Sequence, residues 1–394
     1  MQNQVFNTYY IWWDISFICM LSGMSDKEIL RELEQGIGKS VPTANKLDWN
    51  TFGVQFEGDS IIGLGLFNCG LTALPEAFGQ LESLKELYIY YNRLTALPES
   101  FERLKSLKVL HIYNSQLRIL PKSFGALKSL EWLNLEANQL KILPESFGQL
   151  KTLVFLDITA NGLTTLPEPF GQLKSLQVLD LSGNPLTKLP ESIRNLNALQ
   201  QLLISETNLT TLPESFGELK LLQTLWAHCN KLTTLPTSFG GLASLKELKL
   251  NDNQLTVIPE SIGQLNTLEE LDLGHNQLTT LPASFGQLKS LQKLYLYSNR
   301  FSTLPEPILQ LKSLQILNMG GNKLTTLPAS LGQLKSLVEL DLTSNKLTTL
   351  PASLIQLSNL RHLHIASNPL SAEGKKVLEE LKANAVNLKI IDQK

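Results

Sequence analysis

This sequence has few cysteines and no surplus of charge of either sign. Its 394 residues include three cysteines, Cys19, Cys69 and Cys229, which show no paired spacing. No disulfide framework or zinc ligand set can be read from them, and this favours a reducing compartment. The 34 basic and 36 acidic residues leave a formal net charge of -2. Bulk charge therefore does not favour nucleic acid or an anionic membrane as a partner.

The first 23 residues, MQNQVFNTYYIWWDISFICMLSG, are apolar and aromatic but lack the features of an export signal. No residue before Lys27 is basic, and Asp14 interrupts the hydrophobic run. Both features argue against a signal peptide or a membrane span. We therefore expect residues 1–23 to be a disordered or processed extension, and the protein to be cytoplasmic. Secretion or surface display, with residues 1–23 as the export signal, is the alternative.

A repeat of 23 residues organises most of the remaining chain. Its pattern is L-x-x-L-x-L-x-x-N-x-L-x-x-L-P, and the ninth position is asparagine in eleven of fourteen repeats, which shows that the period never slips. A fixed period of this length indicates a solenoid. The residues at the ninth position are Cys69, Asn92, Ser115, Asn138, Asn161, Asn184, Thr207, Asn230, Asn253, Asn276, Asn299, Asn322, Asn345 and Asn368.

The recurring positions of the repeat each predict a structural role. The fourth and sixth residues, such as Leu87 and Ile89, alternate inward on a short strand, and successive coils stack these strands into a parallel sheet. The asparagine amide both donates and accepts, so it can satisfy buried backbone groups of neighbouring coils. Leu-Pro opens a return segment, and three residues later an apolar side chain, most often Phe, points inward. These rings are expected to stack into an aromatic spine.

Both ends of the repeat region read as caps. Ser25 and Glu28 form a capping-box pattern before a helical apolar stripe, and turn residues at 57–60 predict a hairpin. After the last repeat, residues 371–383 predict a helix and NLKIID a short strand. The predicted domains are an extension (1–23), an N-terminal cap (24–60), a solenoid of about fourteen repeats (61–370) and a C-terminal cap (371–394).

These motifs resemble the leucine-rich repeat family. The nearest class is the 23-residue type of bacterial proteins and of intracellular plant and animal Ras-group relatives. The resemblance implies an α/β solenoid, a curved right-handed horseshoe with a parallel β-sheet on the concave side. It also implies 3₁₀ or extended segments on the convex side, and helical caps. It names no ligand, because family members bind very different partners.

Variety is confined to repeat positions three, five, seven and eight, which point outward from the predicted concave face. Aromatic residues and histidines gather there, and exposed Tyr and Trp are typical of protein interfaces. The alternative is that bulky side chains merely cover a sheet face. The predicted protein-binding residues are Tyr88, Tyr90, Tyr91, His111, Tyr113, Trp132, Phe155, Trp226, His228, Tyr295 and Tyr297.

The same four positions carry many more acids than bases. Lys249 and Lys293 are the two lysines that oppose eleven carboxylates. A basic or amphipathic protein segment is therefore the expected partner, and nucleic acid phosphate would be repelled. A merely solvated face is the alternative. The eleven acids are Glu86, Glu136, Asp157, Asp180, Glu206, Glu247, Asp252, Glu270, Asp272, Glu339 and Asp341.

Neither a metal centre nor a catalytic centre is predicted. His362 and His364, beside Glu339 and Asp341 of the preceding repeat, have ligand types that suit zinc, but a plain surface cluster is the preferred interpretation. The side chains of His228 and Cys229 diverge because the residues are adjacent, and His275 is two strands from Cys229. The repeat glycine is not a phosphate-binding loop. No cofactor is expected.

The predicted function is a non-enzymatic scaffold that binds a protein or peptide partner on its concave face. An extracytoplasmic adhesin, with sugar rings stacked on Trp and Tyr, is the alternative. An appended enzyme, such as the ubiquitin ligases of some bacterial repeat effectors, is not expected because no chain follows Lys394.

Overall fold

The computed structural model describes residues 23–384 and 388–392, and it divides the chain into two compact units, Met1–Leu153 and Val154–Lys394. The predictions for residues 1–22 lie outside the described residues. Among the described residues, no helix is both long and apolar enough to span a bilayer.

The first unit begins with the predicted cap helix, α1 (Asp26–Ile37). The Ser25 hydroxyl and the Glu28 carboxylate form the predicted capping box, and the helix ends at Gly38, which has a φ of 78°. Ile29 and Leu33 are buried. The Asp26 carboxylate accepts the Ile61 N–H at 2.6 Å, which joins the helix to the first coil.

Five strands follow in the first unit, and the first two form the predicted hairpin. They pair antiparallel around a turn at Gly58, whose φ is 63°. The later strands pair parallel, with residues of equal repeat position opposite each other, such as Leu87 and Leu110. The strands are β1 (Phe52–Glu57), β2 (Ser60–Phe67), β3 (Glu86–Tyr90), β4 (Val109–Tyr113) and β5 (Trp132–Asn134).

The second unit has parallel strands of its own in the same kind of register, with a 23-residue offset between partners such as Leu248 and Leu271. Its strands are β6 (Phe155–Asp157), β7 (Val178–Asp180), β8 (Gln201–Leu203), β9 (Thr224–Trp226), β10 (Glu247–Lys249), β11 (Glu270–Asp272), β12 (Lys293–Tyr295), β13 (Ile316–Asn318), β14 (Glu339–Asp341), β15 (His362–His364) and β16 (Lys389–Ile391). Helix α2 (Ala372–Asn384) precedes β16, which pairs parallel with β15, so the predicted C-terminal helix and strand are both confirmed.

The return segments are short 3₁₀ helices, and each begins just after the Leu-Pro step or close to it. Their apolar side chains are buried, and the phenylalanine rings stack as predicted. The ring centroids of Phe78 and Phe101 are 6.3 Å apart in the first unit, and those of Phe216 and Phe239 are 6.2 Å apart in the second. The 3₁₀ helices of the first unit are Glu76–Gln80, Glu99–Arg103, Phe124–Ala126 and Glu145–Gln149. Those of the second are Glu168–Gln172, Glu191–Asn195, Glu214–Glu218, Thr237–Gly241, Glu260–Gln264, Ala283–Gln287, Glu306–Gln310, Ala329–Gln333 and Ala352–Gln356.

The asparagines of the ninth position link neighbouring coils, as predicted. Asn92 Oδ1 accepts the N–H groups of Cys69 and Leu71, and its Nδ2 donates to the carbonyls of Leu66 and Tyr90. The same pattern recurs in the second unit. The strand sheet, the 3₁₀ returns and the helical caps of both units confirm the predicted solenoid fold class.

Candidate binding surface of the strand face

The outward side of the strands is called here the strand face. Along the repeat strands β3 to β15 the burial alternates, as in β3, where Leu87 and Ile89 are buried and Glu86, Tyr88 and Tyr90 are partly exposed. The rigid ladder therefore presents the variable positions to solvent and hides the repeated ones.

The eighth residue of every repeat adopts the left-handed conformation, with φ between 43° and 67°. Glycine or asparagine, which adopt this conformation readily, occupies four of these positions: Asn68, Asn114, Gly183 and Gly321. Most other L-residues disfavour it by about 1–2 kcal/mol, and Tyr91 is the largest residue that adopts it here.

Aromatic rings form a continuous cluster on the strand face of the first unit. Tyr91 contacts Tyr113 edge-on at 5.2 Å between centroids, and Tyr113 lies 5.6 Å from Tyr90. Two residues absent from the predicted set extend the cluster, because Phe67 lies 5.8 Å from Tyr91 and Trp49 lies 6.2 Å from Phe67. We define the aromatic cluster as Trp49, Phe67, Tyr88, Tyr90, Tyr91, His111 and Tyr113.

His111 and two tyrosines form the hydrogen-bonded centre of the aromatic cluster. Burial lowers the pKa of His111 to about 4, so the imidazole is neutral at physiological pH. Its Nδ1 and the Tyr90 hydroxyl are hydrogen-bonded at 2.7 Å. The Tyr88 hydroxyl donates to Glu86, and burial, with that carboxylate second, raises the pKa of Tyr88 to about 12. The centre therefore presents uncharged rings with fixed hydroxyl orientations.

Two other predicted binding residues, Trp132 and Phe155, lie on separate strands. Trp132 belongs to β5, is paired in register with Val109 of β4, and is 45% exposed. Phe155 belongs to β6 of the second unit, where it is half-buried and paired with Val178. Six of the eleven predicted binding residues therefore lie on the strand face of the first unit, namely Tyr88, Tyr90, Tyr91, His111, Tyr113 and Trp132.

The second unit has its own aromatic positions, centred on Trp226 of β9. Trp226 Nε1 donates to Glu247 Oε1 at 3.0 Å, and Lys249 Nζ lies 4.2 Å from the centre of the indole. His228 is hydrogen-bonded to the Ser205 hydroxyl through Nδ1 at 2.9 Å. These side chains are held by neighbours on adjacent strands.

Two tyrosines of β12 and its following turn lie further along the same unit. Tyr297 contacts His275 edge-on at 5.1 Å. Burial, with Asp272 and Asp252 next, raises the pKa of Tyr297 to about 12, and burial is also the main cause of the raised pKa of Tyr295. Both phenols stay protonated and can donate hydrogen bonds to a partner.

Several of the strand-face carboxylates have a structural role that the sequence did not predict. Asp157, Asp180, Asp272 and Asp341 each accept, at 2.8–2.9 Å, the backbone N–H of the residue two positions later. Asn318 accepts the Gly320 N–H at 2.9 Å in the same way. The hydrogen bond therefore needs an oxygen acceptor and does not need a negative charge.

The two lysines of the acidic face are each paired with a carboxylate. Lys249 lies 2.8 Å from Glu247, and Lys293 lies 2.9 Å from Glu270. Burial raises the pKa values of Asp157 and Asp272, with neighbouring acids adding to the effect. The second unit therefore carries a surplus of negative charge on its strand face.

The geometry gives no support to the metal candidate. His364 Nε2 lies 4.0 Å from Glu339 Oε1, although His362 and Asp341 occupy the same two strands. Across the residues that the structure describes, no three or more His, Cys, Asp or Glu side chains are grouped so that they could hold a metal ion.

Cys229 is not activated as a nucleophile. Cys229 is exposed, but partial desolvation, with Asp252 and Glu206 next, raises the pKa of its thiol, so the reactive thiolate is disfavoured.

Comparison with known sequence families decides what kind of protein this is. The leucine rich repeat model matches residues 64–117, 82–140, 113–163, 141–186, 244–301, 298–347 and 312–370, and a leucine-rich repeat region model matches residues 178–254. The chain belongs to the leucine-rich repeat family.

Solved leucine-rich repeat structures agree with this assignment. A leucine-rich repeat protein of Leptospira interrogans is 41% identical, with 83% of each chain covered and a TM-score of 0.75. A plant peptide hormone receptor, RGFR1, in complex with RGF2 is 28% identical over 82% of this chain and 57% of that one, with a TM-score of 0.66. The Toll–Spatzle complex of Drosophila is 25% identical over 82% and 46%, with a TM-score of 0.74. A comparison with curated proteins gives no match.

Leucine-rich repeat proteins generally mediate protein or peptide interactions and are typically non-enzymatic, as the receptor complexes among these neighbours illustrate.

Proposed function

We propose that this leucine-rich repeat protein is a non-enzymatic scaffold that binds a protein or peptide segment on its strand face. The observation that carries the proposal is the aromatic cluster of the first unit, with Trp132 beside it on β5. Trp49 is 59% exposed and Tyr91 is 42% exposed, so large apolar area remains in contact with water. A monomeric protein rarely retains such a patch without a binding role.

Two features of the aromatic cluster favour binding over simple coverage of the sheet. Tyr91 is kept in a left-handed backbone conformation, where glycine or asparagine would cost less. The rings also hold each other in place, and hydrogen bonds such as that between Tyr90 and His111 fix the phenols. A preformed aromatic surface loses little side-chain entropy when a partner docks.

The first prediction concerns these anchors. The triple substitution Tyr90→Ala, Tyr113→Ala and Trp132→Ala should lower the affinity for the physiological partner at least about a hundred-fold, because central aromatic anchors each contribute about 2 kcal/mol or more. The measurement is quantitative capture from cell extract, with wild-type and variant protein compared by mass spectrometry. Circular dichroism would verify that the variant is folded.

A matched control removes the same kind of surface elsewhere. Ile119, Ile142 and Leu221 are 53%, 61% and 50% exposed and lie outside the strand positions. Their replacement by alanine should leave every captured partner in place. If the aromatic triple variant retains all partners at the wild-type level, the cluster is not the binding site.

We also propose that the partner is basic or amphipathic. The carboxylates of the second unit support this, because they outnumber the two lysines and those lysines are already paired. Opposite charge on a partner would speed association and select against acidic competitors.

The second prediction separates this charge from its structural role. The substitutions Asp157→Asn, Asp180→Asn, Asp272→Asn and Asp341→Asn keep an oxygen acceptor for each backbone N–H, as Asn318 does naturally. The fold should therefore be retained, while affinity for the captured partner falls about ten-fold or more at low salt and depends less on ionic strength. Surface plasmon resonance across a salt series would measure both. An unchanged salt dependence would contradict the proposed partner charge.

A further inference from the structure

Trp226 of the second unit already has a cation on its ring. Lys249 Nζ lies 4.2 Å from the centre of the indole and 2.8 Å from Glu247 Oε1. The same carboxylate oxygen accepts Trp226 Nε1–H at 3.0 Å. A ring face, a carboxylate and an ammonium group therefore form one closed set.

The sheet positions the two receiving groups rigidly. Trp226 and Lys249 are register partners on β9 and β10, and Glu247 precedes Lys249 by two residues on the same face. The indole N–H holds the Glu247 carboxylate in place by a hydrogen bond. The carboxylate and the ring face therefore both contact the volume that the Lys249 ammonium group occupies. An aromatic face beside a carboxylate is the chemistry that recognises an ammonium or guanidinium group.

The negative charge of the carboxylates around Trp226, Glu247 and Lys249 exceeds what one lysine can neutralise. Asp272 is close enough for Asp252 and Lys249 to affect its pKa in opposite directions, and burial raises that pKa most strongly. Lys293, the other lysine of the face, is held by Glu270 at 2.9 Å. Negative potential therefore remains for a cation arriving from outside.

We infer that the Trp226 ring and the Glu247 carboxylate form a subsite for an arginine or lysine side chain of a basic protein segment, with Lys249 as its internal occupant. The partner's cation displaces Lys249 on binding. Only a segment whose cation binds the ring and the carboxylate more favourably than Lys249 does can therefore occupy the subsite. Arginine fits best, because its planar guanidinium stacks on the indole and also forks onto a carboxylate. The inference rests on the proposed function only in taking a protein segment as ligand, and it does not require the aromatic cluster of the first unit.

The test uses the full chain and an acetylated, amidated hexa-arginine peptide as probe, with hexa-glutamate as the charge control. The indole N–H signal of Trp226, assigned by its loss in Trp226→Phe, follows binding by NMR. Lys249→Met keeps the aliphatic stem but removes the competing charge. It should raise the affinity for hexa-arginine about ten-fold, the factor expected when a cation–π contact is freed for the ligand. Hexa-glutamate should not bind.

Lys293→Met is the matched control, because it removes the same charge from the same face, but its salt bridge is to Glu270 and not to Glu247. It should raise affinity much less than Lys249→Met. Adding Glu247→Gln to the Lys249→Met variant should abolish most of the gain in affinity. That result would show that the gain comes from the Glu247 carboxylate and not from local unfolding caused by Lys249→Met.

Three results would overturn the inference. They are equal gains in the two lysine variants, no movement of the Trp226 signal, and no effect of Glu247→Gln. Any of these would leave the aromatic cluster proposal intact. Full partner capture by the aromatic triple variant would instead overturn that proposal and leave the Trp226 subsite intact.

Discussion

Replacing Asn253 by alanine should lower the free energy of unfolding of the surrounding repeats by about 2–6 kcal/mol, because two buried backbone groups lose their partners at about 1–3 kcal/mol each. Asn253 Oδ1 accepts the Leu232 N–H at 2.9 Å, and Nδ2 donates to the Ala227 carbonyl at 2.9 Å. Both groups belong to the preceding coil. Asn253 is only 8% exposed, so bulk water has little access to the two backbone groups that its amide satisfies.

Denaturant unfolding and hydrogen exchange at the Leu232 amide would measure the effect. The matched control is Asn251→Ala, two residues earlier on the strand face, where the amide donates to the adjacent Asp252 side chain at 2.7 Å. That change should cost less than about 0.5 kcal/mol. Equal losses in the two variants would refute the view that the asparagine ladder joins the coils.

The chain contains natural intermediates between asparagine and alanine at this position. The Ser115 hydroxyl lies 3.5 Å from the Ile89 carbonyl of the preceding coil and 3.1 Å from the Tyr113 carbonyl of its own coil. Thr207 donates to the Ile204 carbonyl of its own coil at 3.3 Å. Each keeps a donor for one buried carbonyl but is too short to repeat the full set of contacts. Asn253→Ser should therefore lie between wild type and Asn253→Ala.

The asparagine ladder shows why so much of the fold could be predicted. A residue such as Asn253 has the same surroundings in every coil, so its role follows from its own chemistry and a fixed period. The capping box at Ser25 and the hairpin turn at Gly58 are equally local. None of these features depends on which residue lies on a neighbouring strand.

The binding surface was less predictable because it depends on contacts between strands. Phe67 holds the seventh position of the first repeat, so its pairing with Tyr90 was available from the register. Trp49 lies before β1, and no periodicity indicated that it would meet Phe67. The pairing of Lys249 with Trp226 depends on side-chain rotamers, which the sequence pattern does not determine. The backbone hydrogen bonds of Asp157 and its equivalents were also hidden, since the same residues read equally well as free charges.

Packing between the 3₁₀ helices leads to the other large expected effect, in Gly217→Ala. A Cβ at Gly217 would lie far inside the contact distance of the Ser238 carbonyl oxygen in the next coil, which is backbone and cannot rotate away. The two helices would have to separate, which would also weaken the hydrogen bond from the Gly217 N–H to the Ser238 hydroxyl. We expect a loss of about 3 kcal/mol in the free energy of unfolding, at the upper end for overpacking of a rigid site.

Other repeats hold a side chain at this position. Glu102 is followed by a 3₁₀ helix shortened to Phe124–Ala126, whereas Arg194 and Leu309 are followed by the full-length helices Glu214–Glu218 and Ala329–Gln333. The clash expected for Gly217→Ala therefore comes from the local spacing of the coils at Gly217. The coil after Gly217 keeps the full helix Thr237–Gly241. Gly36→Ala in α1 is the control, and it should change the free energy of unfolding in the opposite direction. Nothing lies within 4 Å of the added Cβ, so alanine should stabilise that helix by about 0.5–1 kcal/mol. Denaturant unfolding of both variants measures the contrast. If Gly217→Ala is as stable as wild type, the neighbouring 3₁₀ helices can move apart without loss of stability, and packing does not require the glycine.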